Sequence, residues 1–308
     1  MEKRRIGSLD LSVVGLGTNN FGGRLDYDSS AAVVNAALEE GISFFDTADI
    51  YGRTLSEEFL GRALGARRKE VVIATKFGNA IDDERKGAHP DYVARAAEES
   101  LRRLGTDYID LYILHTPDPT VPIAETLGAL GLLVTAGKVR EIGCSNFSVE
   151  QLREADDAAR EGSARFTSIQ NEYSLIHREP EQGMLAECER LGIAFVPYFP
   201  LASGLLTGKY RKGEQVPEGT RLARGPMGDR LLTEENLEIV ERLTAFAESR
   251  SRTILELAFS WLLAHLVVPS VIAGAMSAKQ VIDNAAAADW TLSEEDLADM
   301  DAMLATGN

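Results

Sequence analysis

The sequence predicts an α/β fold: a single (β/α)8 (TIM) barrel domain over residues 1–308, with an N-terminal hairpin and extra C-terminal helices. Three observations predict it. Short apolar runs alternate with amphipathic helical stretches eight times along the chain. Each helical stretch opens on a capping residue or proline, and most close on glycine. No Pro/Ser/Gly-rich linker splits the series. An open doubly wound sheet is the alternative, but Gly15-Leu16-Gly17-Thr18-Asn19-Asn20 after the first strand lacks the third glycine of a dinucleotide fingerprint.

In order, Ile6 to Leu11 reads as a hairpin turning around Ser8 to Asp10, a plug or edge rather than core, before the strand Val13 to Gly17. Asp28 and Ser29 cap a helix with Val33, Ala36 and Ala37 at helical spacing, and Gly41 ends it before the strand Ile42 to Asp46. Thr54 and Glu57 have capping-box spacing ahead of Phe59, Leu60, Ala63 and Leu64, with Gly65 as the stop and Val71 to Lys76 as the next strand. Pro90 and Asp91 open the helix of Val93, Ala97, Leu101 and Leu104, followed by the strand ending at His115. A helix from Pro122 to Ala136 precedes the strand Val139 to Ser145, and Ser148 with Gln151 forms a second capping box before Leu152, Ala155 and Ala159.

Strand Ser168 to Glu172, a helix carrying Met184, Leu185, Cys188 and Leu191, and strand Ile193 to Tyr198 come next. From Phe199 to Leu232 the rhythm breaks. That segment is rich in glycine and proline and carries Lys209, Arg211, Lys212, Arg221, Arg224 and Arg230, and loops this long are usually functional. Helices over Glu234 to Glu248 and Thr253 to Leu263 lead to the eighth strand, Val268 to Ala273. Ser277 with Gln280 caps one further helix and Ser293 opens a terminal one.

With 44% apolar and 26% charged residues, the chain has the hydrocarbon for a full core. Its net charge of −16 argues against nucleic acid and anionic membranes as partners. An anionic cofactor would need local basic residues to overcome that field. Cys144 and Cys188 show no metal or disulfide spacing, and the N-terminus has no signal-peptide core, which together point to the cytoplasm. The four histidines show no HxH or HExxH pairing, so a metal-dependent hydrolase lacks ligands in the sequence and no metal is expected.

Three strands end on reactive groups: Asp46, Lys76 and His115, with Tyr51 five residues beyond Asp46 on a turn marked by Gly52. Barrel active sites lie at the carboxyl ends of the strands, and neighbouring strands are about 4.8 Å apart, so these groups can converge. A phenol with a pKa of about 10 needs a neighbouring cation to become a useful acid, and Lys76 supplies one. Asp46 would keep that ammonium charged, and His115 would orient a carbonyl oxygen. Singly, each residue has a structural use as a cap, a solvated charge or loop packing. Convergence from adjacent strands favours chemistry.

The segments Gly15-Leu16-Gly17-Thr18, Phe45 to Gly52, Ala74-Thr75-Lys76, Asp110 to His115, Gly137 to Phe147, Gln170 to Tyr173, Gly204 to Tyr210 and Gly274 to Asn284 together make the chain resemble the aldo-keto reductases of the bacterial type, related to potassium-channel beta subunits. That resemblance implies Tyr51 as acid/base, Asp46 and Lys76 as its tuning pair, and His115 as the group that positions the carbonyl. It implies NADPH as coenzyme, with NADH as the alternative, and an aldehyde, ketone or alcohol as small-molecule substrate. Coenzyme contacts would come from Gly17, Thr18, Asp46, Ser145, Asn146, Gln170, Tyr198, Phe199, Leu201, Gly204, Leu206, Lys209, Arg221, Gly274, Gln280 and Asn284. Candidate walls of the substrate pocket are Asn20, Phe21, Tyr51, Phe77, His115 and Tyr173.

Two departures stand out. Phe199 replaces a serine common after the tyrosine at position 198, and Gly274 to Gln280 lacks the arginine or serine seen at some of those positions in relatives, leaving Lys279 or Ser277 to meet a 2′-phosphate. The alternative function is a redox-sensing subunit that binds nucleotide with little turnover.

Overall fold

A computed structural model of the chain describes residues 1–160, 164–223 and 225–305, so Arg224 lies outside the described residues. The hairpin pairs β1 (Lys3–Ile6) with β2 (Leu9–Ser12) in antiparallel register, Ile6 opposite Leu9. Its turn is therefore Gly7-Ser8, earlier than expected, because Gly7 adopts the left-handed φ of +54° that the tight reversal requires.

The barrel strands are β3 (Val14–Gly17), β4 (Phe44–Asp46), β5 (Val72–Phe77), β6 (Ile109–Leu114), β7 (Val139–Ser145), β8 (Ser168–Glu172), β9 (Ala194–Tyr198) and β10 (Val271–Gly274). All neighbours pair in parallel, in the order β10-β3-β4-β5-β6-β7-β8-β9. The Phe195 amide donates to the Val267 carbonyl at 2.8 Å, drawing β9 toward the segment that enters β10 and nearly closing the barrel. The open doubly wound alternative does not hold, since consecutive strands are neighbours throughout.

Side chains alternate across these strands and sort into two apolar bodies. Phe44, Val72, Ala74, Leu111, Ile113, Val196 and Ile272 point inward and meet Ile6, Leu9 and Leu11 of the hairpin. The hairpin is thus the plug expected, and its apolar residues are core as well: each is buried to 2% exposure or less, worth about 2 kcal/mol of hydrophobic burial. Phe45, Ile73, Phe77, Tyr112, Leu114, Cys144, Ile169, Tyr173 and Phe195 point outward to the surrounding helices.

The helices α1 (Tyr27–Glu39), α2 (Leu55–Leu64), α3 (Pro90–Leu104), α4 (Ile123–Thr135), α5 (Val149–Arg160) and α6 (Met184–Leu191) each follow one strand. Asp26 caps α1 by accepting from the Ser29 amide, two residues before the expected cap. The capping box expected at α2 does not form. Thr54 has φ +77° and makes no side-chain cap, and Glu57 turns inward to accept from Thr75 Oγ1 and from Arg103 Nε at 2.6 Å. An ion pair with its carboxylate fully buried has claimed a residue that local spacing assigned to the surface. The Ser148/Gln151 box does form, Ser148 N donating to Gln151 Oε1 and Gln151 N to Ser148 Oγ.

Gly61 on α2 faces the Leu104 carbonyl so closely that a Cβ there would overlap it. Gly61→Ala should therefore push α2 off α3 and cost about 3 kcal/mol as overpacking against rigid backbone. Thermal unfolding should show a midpoint several degrees lower, and an unchanged midpoint would contradict the close approach.

Beyond β9 the chain runs through a single-turn segment (Ala202–Thr207) and α7 (Pro226–Leu231) to α8 (Glu234–Ser249) and α9 (Ile254–Ala264). After β10 come α10 (Ala278–Ala286) and the terminal α11 (Glu294–Ala305). Among the described residues no helix is long and apolar enough to cross a membrane.

Candidate active site

Period-two alternation delivers the inward residues Asp46, Lys76, His115, Ser145, Gln170 and Tyr198 to the carboxyl rim of the barrel. Lys76 Nζ donates to Asp46 Oδ1 at 2.6 Å and to the Thr47 carbonyl at 2.7 Å, with Tyr51 Oη 3.4 Å away. The other Asp46 oxygen accepts from Gln170 Nε2 at 2.8 Å, across the barrel from β8. Asp46 and Lys76 are 5% and 2% exposed, so this charged pair is enclosed by protein. The His115 ring stands edge-on to the Tyr51 ring, centroids 5.9 Å apart.

Burial and charge set the protonation states. Burial pushes the Tyr51 phenol above its ordinary value of 10, and the Lys76 charge only partly opposes this while Asp46 adds to it. The expectation that Lys76 would lower the phenol is right in direction for that one charge, but desolvation outweighs it. Tyr51 therefore carries its proton at neutral pH. For Lys76, burial acts downward and Asp46 and Tyr51 act upward, with a net rise that keeps the ammonium charged. Burial and then the Lys76 charge depress His115 to about 3, so its imidazole is neutral and offers one N–H and one lone pair.

Tyr51 rides on a strained turn. Gly52, Arg53 and Thr54 all have positive φ (57°, 57° and 77°). A Cβ on Gly52 would overlap the Phe21 carbonyl, so this glycine lets the loop after β3 lie directly on the turn. Asn146, Phe199, Ala202 and Ser203 add further non-glycine positive φ values around the same rim. Strain concentrated at one rim marks a shaped site.

Asn146 ties the rim together. Its Nδ2 donates to the His115 carbonyl at 2.9 Å and to Ser145 Oγ at 3.1 Å, and its Oδ1 accepts from the Tyr198 hydroxyl at 2.8 Å. Ser145 Oγ donates to the Gln170 carbonyl. Gly204 has φ +99°, and Lys209 Nζ lies 3.0 Å from where a Cβ on Gly204 would stand. Arg221 stacks over the Phe199 ring at 5.2 Å. Neither Lys209 nor Arg221 pairs with a carboxylate among the described residues, although Arg211 and Arg230 of the same segment pair with Glu241 and Glu172. Free cations beside a glycine-bearing loop whose Leu201 and Gly204 are half-buried fit a diphosphate.

Several expectations are corrected. Phe77 and Tyr173 are fully buried on the outward parity of their strands, Phe77 stacked on Tyr112 at 4.6 Å and Tyr173 bonded to Glu181 and His265, so neither lines the mouth. The Phe21 ring is also fully enclosed, leaving its carbonyl against Gly52. Asn20 is 5% exposed, its Nδ2 directed at the Ala275 carbonyl. Thr18 donates to the Asp46 carbonyl and shares a hydrogen bond with Ser56, so its side chain braces β4 and is closed to a ligand. Leu206 is fully buried, leaving only its backbone for contact.

Gly17 ends β3 opposite Gly274, which is exposed. Gln280 Oε1 accepts from the Met276 amide, and Asn284 is buried on α10. The two residues that might have met a 2′-phosphate are engaged: Lys279 pairs with Asp283 at 2.7 Å, and Ser277 caps α10.

Two positions escaped the sequence reading: the Thr47 carbonyl that holds Lys76, and Asp49. Asp49 is fully buried with neither carboxylate oxygen hydrogen-bonded. Desolvation and then the Glu57 charge raise it from 3.8 to about 7. The signal was its place three residues after Asp46. The unfolded chain releases this proton near 3.8 and the folded chain near 7, so between these values the folded state binds more protons and stability falls as pH rises. Asp49→Asn should remove that slope, losing several degrees less in thermal midpoint between pH 5 and pH 8 than the parent protein; parallel losses would contradict the buried, protonated carboxyl.

Comparison with known proteins follows the same lines. The aldo/keto reductase family model matches residues 13–305. A probable aldo-keto reductase of Glycine max is 37% identical, covering 95% of this chain and 84% of that protein. The L-glyceraldehyde 3-phosphate reductase of Escherichia coli is 33% identical over 97% of this chain and 90% of its own. The glycerol dehydrogenase structure from Gluconobacter oxydans superposes with a TM-score of 0.85 at 31% identity, over 99% of this chain and 95% of that one. By sequence, fold and matched length, the chain belongs to the aldo/keto reductase family.

Proposed function

We propose that this protein reduces an aldehyde or ketone to an alcohol with NADPH, and runs the reverse oxidation, using Tyr51 as general acid and base. The observation that carries the proposal is the enclosed Lys76 ammonium, bonded to Asp46 and the Thr47 carbonyl, with its remaining direction toward the Tyr51 hydroxyl. A substrate oxygen between the Tyr51 hydroxyl and the neutral His115 ring would receive two hydrogen bonds. As negative charge grows on that oxygen, the Tyr51 proton moves onto it and the Lys76 charge stabilises the phenolate left behind. Asp46, fixed by Gln170, keeps Lys76 charged and in place throughout.

When bound, a reduced nicotinamide would supply the hydride. Ser145, Asn146, Gln170 and Tyr198 would hold its amide and ring face, while the backbone from Phe199 to Leu206, Lys209 and Arg221 would hold the diphosphate. Gly274, Gln280 and Asn284 would line the adenosine end. The names of the relatives from Escherichia coli and Gluconobacter oxydans, a reductase of an aldehyde and a dehydrogenase of an alcohol, support the two directions of one reaction.

Absorbance at the reduced coenzyme's band, followed with 4-nitrobenzaldehyde and either NADPH or NADH, tests the proposal. Aldehyde-dependent oxidation, faster with NADPH, is the expected result. Tight coenzyme retention with negligible turnover across carbonyl substrates would favour the redox-sensing reading. Equal rates with both coenzymes would mean that the Lys279–Asp283 pair stays closed and the 2′-phosphate is not read.

A further inference from the structure

Three hydroxyls stand in line behind the Lys76–Asp46 pair. Thr18 just beyond β3, Thr47 just beyond β4 and Ser56 in the first turn of α2 are each 0% exposed. Ser56 Oγ lies 2.8 Å from Thr18 Oγ1 and 3.0 Å from Thr47 Oγ1, and Thr18 Oγ1 donates to the Asp46 carbonyl at 3.0 Å. The Thr18 carbonyl is a further acceptor for Ser56 Oγ at 3.0 Å. With one proton per hydroxyl, the first three contacts form together only if the protons run one way, from Thr47 to Ser56 to Thr18 to the Asp46 carbonyl. The line starts on Thr47 and ends on the carbonyl of the residue before it, so Ser56 closes a ring of hydrogen bonds around the Asp46–Thr47 peptide. That segment supplies both acceptors that hold the Lys76 ammonium, Asp46 Oδ1 at 2.6 Å and the Thr47 carbonyl at 2.7 Å. The same serine opens the helix that follows the left-handed turn behind Tyr51. Ser56 bonds to neither Lys76 nor Tyr51, yet it ties the acceptors of one to the helix that anchors the other, with 3.4 Å between Nζ and Oη.

We propose that Ser56 is a positioning residue for proton transfer: its hydroxyl holds the Asp46–Thr47 peptide so that the Lys76 ammonium stays directed at the Tyr51 hydroxyl. The role rests on the reductase reading above and gives α2 a part in it. A buried hydroxyl that served packing alone would stabilise the barrel and leave the reaction of the folded protein unchanged, so the two roles separate by experiment.

Ser56→Ala, set beside Ser12→Ala, tests the proposal. Ser12 holds the opposite end of β4 with an equally buried hydroxyl, accepting from the Ser43 and Phe44 amides and donating to the Val14 carbonyl. Both variants should lose stability, since each leaves buried groups without a partner. In the folded protein, Ser56→Ala should lower kcat for 4-nitrobenzaldehyde with NADPH by about tenfold or more, with both KM values within about twofold of the parent. Its alcohol oxidation should also need a higher pH, because a displaced Lys76 charge does less to draw the Tyr51 phenol downward. Ser12→Ala should keep both kcat and the pH profile. Ser56→Cys, which retains a weak donor and acceptor at the same place, should recover part of kcat. Should Ser56→Ala not fold, Thr47→Val removes the first hydroxyl of the line, keeps the carbonyl that holds Lys76, and should give the same fall in kcat and the same displacement in pH. An unmoved pH profile, or equal losses of kcat in the Ser56 and Ser12 variants, would overturn the proposal. Proton exchange at Lys76 Nζ, followed by NMR of protein carrying isotope-labelled lysine nitrogen and assigned with Lys76→Met, decides the matter without turnover. Faster exchange in Ser56→Ala than in the parent and Ser12→Ala supports the clamp, and equal rates contradict it. Absence of turnover in the parent protein would count against the reductase reading alone.

Discussion

Replacing Tyr51 with phenylalanine should lower kcat for aldehyde reduction by about 10²–10⁴-fold, the usual worth of a positioned general acid. The change removes one oxygen and leaves the ring against His115, so the fold and the coenzyme's binding surface should persist. Coenzyme affinity by fluorescence titration should stay within about twofold, separating loss of proton transfer from loss of binding. The pH dependence carries a sign as well. Burial holds the phenol above its ordinary range, so the acid form is present throughout neutral pH, and reduction should decline only on the alkaline side. Oxidation, which needs the phenolate as base, should rise over that same alkaline range. A reduction rate that falls between pH 6 and pH 8 would contradict the protonated phenol.

Lys76→Met should be damaging in two separate ways. The Lys76–Asp46 pair is enclosed, and removing the ammonium leaves Asp46 a buried carboxylate held by Gln170 alone. Breaking one partner of such a pair costs about 3–5 kcal/mol, visible as a large fall in the thermal midpoint. Catalysis should suffer further, because the phenolate formed at Tyr51 would lose its cation and face an added negative neighbour. Pairing Lys76→Met with Asp46→Leu should recover much of the stability and none of the activity. Recovery of both would mean that the ion pair only supports the barrel wall.

The rim residues were legible because strand periodicity is short and rigid. Once Lys76 faces inward, Asp46 and His115 on neighbouring strands share that face, and the repeating strand and helix units place all three at one end. Phe77 and Tyr173 were misread for want of the same rule, since each sits one residue outside the inward set and is packed against Tyr112 or His265 in the outer layer. Glu57 shows the limit of local spacing. Its distance from Thr54 suits a capping box, yet three consecutive left-handed residues spoil that cap, and the carboxylate instead joins Arg103 and Thr75 between α2 and β5. Asp49 was silent because its meaning lies in the desolvation around it, which is not written in the residues next to it.

The central claim is hydride transfer to a carbonyl carbon beside Tyr51, and isotope placement tests it most directly. The protein would be incubated with 4-nitrobenzaldehyde and NADPH carrying deuterium at the transferable position of C4, and the alcohol analysed by proton NMR and mass spectrometry. One deuterium per molecule on the carbinol carbon, formed by the parent protein and lost with Tyr51→Phe, is the predicted result. Alcohol formed without deuterium from either label face, or labelled alcohol formed equally well by Tyr51→Phe, would contradict the account.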